Sequence, residues 1–153
     1  MFEDGPHLKG SNTTMAIDLS SDFGARLAKR LRDEHLIWLT TSAADGTPQP
    51  NPVWFLWDGA NFLIFSEPNQ AKLRNIQRNP RVSLNFNSNA HGGDVAVITG
   101  TAAIDDGGPS ETERTNYLSK YAEGITSIGL TPETMLHKYS VLLRVTPEKL
   151  RGF

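Results

Sequence analysis

Cysteine is absent from the 153 residues of this chain, so disulfides, thiolate nucleophiles and cysteine-ligated metals are excluded together. Charge of one sign is also lacking: the net value of −2 gives none of the clustered cation that drives nucleic-acid binding. No apolar run approaches the length needed to span a bilayer, and Met1-Phe2-Glu3-Asp4-Gly5 lacks the basic-then-apolar pattern of a signal. The expected location is therefore cytoplasmic. Several motifs are missing as well. There is no Gly-x-Gly-x-x-Gly after a strand, no Gly-Lys-Ser/Thr loop and no Gly-x-Ser-x-Gly elbow. His7, His35, His91 and His137 are too scattered for a local metal site, and Asp105-Asp106 runs into Gly107-Gly108 as a solvated turn would. With no evident nucleophile or general base, any catalysis must borrow its chemistry from a cofactor.

What is present is one domain's worth of patterned chain. Residues 1–17 are polar and rich in Gly, Ser, Asn and Thr, a composition that cannot bury enough apolar area to order itself, so the domain is taken as 18–153. From Ser21 a helix sets Phe23, Leu27 and Leu31 on one face. The period then changes. Leu36–Thr41, Gln49–Trp57, Asn61–Ser66, Val82–Asn87, Asp94–Ile104 and Ser140–Val145 read as strands. A mainly β fold of six to seven antiparallel strands with flanking helices follows, closed or nearly closed because closure removes unpaired edges. Between Pro109 and Tyr139 the pattern is helical, with Thr131 as N-cap and Pro132 in the first helical position. Its apolar residues, Tyr117, Leu118, Tyr121, Ile125, Ile128 and Leu130, must lie on the barrel or on a second subunit.

The stretch from Pro48 to Leu84 carries the chemistry. Trp54-Phe55-Leu56-Trp57 runs into Asp58-Gly59, and Phe62-Leu63-Ile64-Phe65 leads away, which reads as a tight hairpin. After Ser66, residues Asn69 to Ile76 form a capped helix that stops before Pro80 and carries Lys72 in its first turn. An aromatic wall beside unpaired helix N–H groups and a lysine suits a planar ligand with an anionic tail. The plainer alternatives are an exposed lysine on an amphipathic helix for Lys72, and ordinary hairpin core for Pro52, Val53 and Trp54.

In register, Leu39-Thr40-Thr41, Asp45-Gly46-Thr47-Pro48, the Trp54–Gly59 hairpin, Ala71-Lys72-Leu73-Arg74-Asn75, Asn79-Pro80-Arg81-Val82 and Val145-Thr146-Pro147 resemble one family. That family is the split β-barrel flavin and deazaflavin proteins that include pyridoxamine 5′-phosphate oxidase, and the likeness is greatest to its coenzyme F420-dependent, actinobacterial branch. The resemblance implies a split β-barrel and a homodimer with cofactor sites at the subunit interface. It places Lys72, with its matching neighbours Ala71 and Asn75, on the cofactor phosphate, and Gly93 and Asp94 of the partner subunit closing the pocket; the proline-broken strand itself offers Pro52, Val53 and Trp54 to the ring, and Ser66 and Gln70 complete the wall on the phosphate side. The strand Asn51–Phe55 offers no cation to a phosphate monoester of charge near −2, which favours the singly charged phosphodiester of F420 over FMN. The implied activity is hydride transfer from reduced deazaflavin to electron-poor acceptors such as enones, quinones and nitro compounds. His91, Asp94 and His137 are the weak candidates for proton delivery. An FMN enzyme and a non-catalytic binder of deazaflavin or haem are the alternatives.

Overall fold

The computed structural model describes residues 17–153. The tail expectation falls almost wholly outside the described residues. Its last member, Ile17, is buried with the core, so packing begins one residue earlier than the sequence boundary at Asp18.

Helix α1 (Asp22–Asp33) starts where Ser21, in an extended conformation, accepts a bond from the Gly24 N–H at 3.0 Å. Asp22 in its first turn and Arg30 and Arg32 in its last complement the helix dipole. Seven antiparallel strands follow: β1 (Ile37–Ser42), β2 (Pro48–Val53), β3 (Leu56–Trp57), β4 (Phe62–Ser66), β5 (Arg81–Asn85), β6 (Ala96–Ile104) and β7 (Val141–Gly152). They form one sheet in the order β2-β1-β5-β6-β7-β4-β3, curled into a half-barrel with helices on its flanks. Helix α2 (Ala71–Arg78) links β4 to β5, and α3 (Glu111–Lys120), α4 (Ala122–Ser127) and α5 (Pro132–Lys138) fill the gap between β6 and β7.

All five residues of β4 are buried because both its faces are covered. Phe62 and Ile64 point into the barrel core with Leu39, Leu84 and Leu143, while Leu63 and Phe65 pack under the helices with Tyr117, Tyr121 and Met135. The expected helical insertion thus lies on the barrel of its own chain, leaving Ile128 half exposed. Thr131 caps α5 as expected, accepting from Thr134 N–H, with Pro132 first in the helix.

Most strand ends fall within two residues of the sequence expectation, and two strands differ by more. The single run Gln49–Trp57 breaks at Trp54-Phe55, where Phe55 N–H donates to the Tyr121 hydroxyl at 2.8 Å instead of to a neighbouring strand. The last strand runs on to Gly152, well past Val145. A bulge makes this possible: Thr99 opposes Lys149 but Gly100 opposes Pro147, so Glu148 is left over. Gly100 is needed there, since a Cβ would stand 2.0 Å from the Thr146 carbonyl oxygen. Among the described residues no helix is long and apolar enough to cross a membrane.

Candidate cofactor site at the start of helix α2

Helix α2 begins on a bend in which Asn69 has a φ of 63°, and the Arg74 guanidinium donates to the Asn69 carbonyl at 3.0 Å. Gln70 stands at the N-cap without a side-chain cap bond, and the first turn holds no acidic residue. No side chain therefore compensates the partial positive charge of the first-turn N–H groups, of which that of Leu73 donates to the Gln70 carbonyl at 3.1 Å. Lys72 sits in that turn, half-buried, and the burial holds its ammonium below the usual lysine range, with Glu67 partly offsetting the effect. Glu67 also reaches Lys138 at 3.7 Å. Ser66 is buried, and its hydroxyl donates to the Glu67 carbonyl at 2.8 Å, fixing the exit of β4.

Asn75 locks this helix to the sheet. Its buried amide donates to Thr41 Oγ1 at 3.0 Å and to Gln49 Oε1 at 2.7 Å, which spends both N–H groups inside the protein. Thr41 belongs to β1 and Gln49 to β2, so the tie fixes α2 over β1 and links it to β2 through one side chain. A deletion of this amide would leave buried acceptors unpaired.

Strand β2 pairs on one side only, with β1, and places Pro48, Pro50 and Pro52 opposite Ser42, Thr40 and Trp38. A proline has no N–H to give a ladder, so the alternating residues Gln49, Asn51 and Val53 face β1. The outer edge then shows carbonyl acceptors and no donors at three successive positions. Only C=O groups, and no N–H groups, are thus free here to meet the polar rim of a ring. The same alternation shields the edge from pairing with another strand.

Not every residue assigned to the site by sequence converges on it. The Val53 side chain is in the barrel core. Trp54 lies flat on Tyr121, centroids 4.5 Å apart and planes 4° apart, and packs with the helical cluster. Gly93 and Asp94, expected at the site from the partner subunit, lie within this chain in the loop between β5 and β6, where Arg30 of α1 donates to the Asp94 carbonyl at 2.8 Å and the Asn87 carbonyl at 2.7 Å and the Asp94 carboxylate is 3.5 Å from Arg30. His91 and His137 are exposed. Among the described residues no three His, Asp or Glu side chains gather as a metal site would require. Thr41 and Gln49, which position α2 through Asn75, were not singled out by sequence, because nothing local marks two polar residues on neighbouring strands as partners of a helix.

Similar structures share the fold. An F420 reductase is 24% identical, with 80% of this chain and 94% of that one covered and a TM-score of 0.61. The haem storage protein HutZ from Vibrio cholerae is 19% identical over 83% of this chain and 92% of its own, TM-score 0.62. An FAD-binding protein from Mesorhizobium loti is 20% identical over 82% and 90%, TM-score 0.59. A sequence search of curated proteins returns no match. Residues 23–153, which include the whole half-barrel, match the family described as pyridoxamine 5′-phosphate oxidase, and the chain belongs to it.

Proposed function

We propose that this protein is an F420-dependent reductase, acting as a homodimer on electron-poor small molecules. The observation that carries the proposal is Lys72, half-buried in an uncapped and acid-free first turn, on the helix that Asn75 ties through Gln49 to the donor-free edge strand β2. In this reading Lys72 and the α2 N–H groups bind the phosphodiester, Gln70 and the Ser66 end of β4 border it, and the outward carbonyls near Pro50 and Pro52 accept from ring N–H groups. Val53, with its backbone turned to β1 and its side chain in the core, leaves the ring contact to Pro52, and Trp54 supports the wall from behind. When bound, reduced deazaflavin supplies a hydride. The chain's part is to orient the ring, hold the anionic tail and exclude water.

A single half-buried cation suits one phosphodiester charge. FMN would bring a phosphate near −2 to a strand, Asn51–Phe55, that offers it no positive side chain. The second copy would close the pocket with Gly93 and Asp94 of the partner subunit. Leu36 and Ile128, 53% and 50% exposed, supply apolar surface that dimerisation would cover. Titration with F420 and FMN in parallel tests the cofactor: the expected result is saturable F420 binding at least tenfold tighter than FMN, and the reverse order would overturn it.

The second reading is a binding protein without turnover. It is favoured by the proton-donor candidates, since neither the His91 nor the His137 imidazole has a hydrogen-bond partner among the described residues. Proton delivery in the reductase reading would come from solvent.

A further inference from the structure

Lys120, in the last turn of α3, has a setting unlike that of an ordinary surface lysine. Its amine donates to the Phe55 carbonyl at 3.0 Å and lies 3.7 Å from the centroid of the Phe55 ring. It has no carboxylate within ion-pair distance among the described residues. The nearest acids are already engaged: Asp33 accepts from Lys29 and Arg32, and Glu34 from Arg30. Lys120 also lines a cleft of about 540 Å³ between α1, β3 and α3. Leu31, Leu56 and Trp57 give this cleft an apolar wall, and Arg32, Asn116 and Ser119 give it polar groups.

We propose that this cleft binds small aromatic aldehydes, which lie against Trp57 and condense reversibly with the Lys120 amine. The nitrogen lone pair attacks the carbonyl carbon, the carbonyl oxygen takes a proton, and loss of water leaves an imine. No oxidant or reductant is needed, and hydrolysis reverses the step. Asn116 and Ser119 line the same cleft and would offer hydrogen bonds to the oxygen that becomes a hydroxyl and leaves.

The nucleophile must be the neutral amine. Burial lowers Lys120 to about 8, against a partial rise from Asp33 and Glu34. Arg32 lines the same cleft, and the Tyr121 ring centroid lies 5.3 Å from the amine; burial holds the Tyr121 phenol protonated. An exposed lysine stays almost wholly protonated at the same pH.

The test is labelling of the intact protein with substoichiometric 2-hydroxybenzaldehyde, borohydride trapping and peptide mapping across a pH series. The expected result is label on Lys120 in excess of Lys29 and Lys149 by on the order of tenfold, with a midpoint near the lowered lysine value. Label distributed according to exposure, or Lys120 left unmodified, would overturn the proposal. Trp57→Ala, shown folded by circular dichroism, should cut labelling by the aromatic aldehyde several-fold while formaldehyde still modifies Lys120. Equal loss or retention with both reagents would remove the aromatic seat.

Discussion

Trp54 and Tyr121 are stacked face to face, 4.5 Å between ring centroids and 4° between planes, and this pair joins the broken edge of the barrel to the helices above it. The Tyr121 hydroxyl accepts from Phe55 N–H and lies 2.8 and 2.9 Å from the carbonyls of His35 and Phe55. One ring thus meets the backbone polar groups that β2 and β3 leave unpaired where they part.

The first prediction concerns that pair. Trp54→Ala should destabilise the fold by about 3 kcal/mol, because it opens a cavity beside a buried ring. Tyr121→Phe should cost about 1–3 kcal/mol by leaving the Phe55 N–H buried without an acceptor. Denaturant midpoints at constant slope measure both. A Trp54→Ala protein of unchanged stability with greatly weakened coenzyme binding would return this ring to the cofactor site.

The second concerns Lys72. Lys72→Ala should leave the fold intact, since Lys72 makes no ion pair in the described residues, and should weaken coenzyme binding by about 1.5–3 kcal/mol, roughly ten- to more than a hundredfold. Equilibrium titration of coenzyme fluorescence measures this. An unchanged dissociation constant in a folded variant would remove the phosphate role.

The third concerns acid stability. Arg144 of β7 holds Glu113 of α3 through two bonds of 2.6 and 2.8 Å, and Asp105 through a third. Glu113 also accepts from the Ser110 N–H at the helix cap. The Arg144 bonds, against some desolvation, lower the Glu113 carboxyl from 4.5 to about 2. A carboxylate lowered in the folded state binds fewer protons there than in the unfolded chain. Its stabilisation is therefore complete above about pH 4.5 and is lost as pH falls toward about 2. Glu113→Gln should be less stable at neutral pH and should show a shallower decline over that window. Melting temperatures of both proteins across the window check the sign.

Local chemistry was legible in the sequence and long-range compensation was not. The Asp58 turn could be read because its carboxylate accepts from Ala60 and Asn61 N–H within the same few residues, and the Thr131-Pro132 start of α5 is equally local. The break in the Gln49–Trp57 run depends on Tyr121, 66 residues from Phe55, which no local pattern announces. The length of β7 was missed because Pro147 looks like a stop, and it becomes tolerable only opposite Gly100 across a bulge. At the site, Lys72 was visible through its helix, whereas the role of Asn75 as a tie to Thr41 and Gln49 required the tertiary fold. Aromatic residues in a hairpin looked alike as core or as pocket. Only the stack on Tyr121 separates Trp54 from a ring that faces a ligand.

Hydride transfer from reduced F420 is tested by following oxidation of the reduced coenzyme by absorbance with menadione, a nitroaromatic and an enone, beside a no-enzyme control. Accelerated oxidation with at least one acceptor is expected, slowed in Lys72→Ala at subsaturating coenzyme, with no activity when NADH or NADPH replaces the coenzyme. Saturable coenzyme binding with no acceleration by any of the three acceptors would contradict the reductase and leave a binding protein in its place.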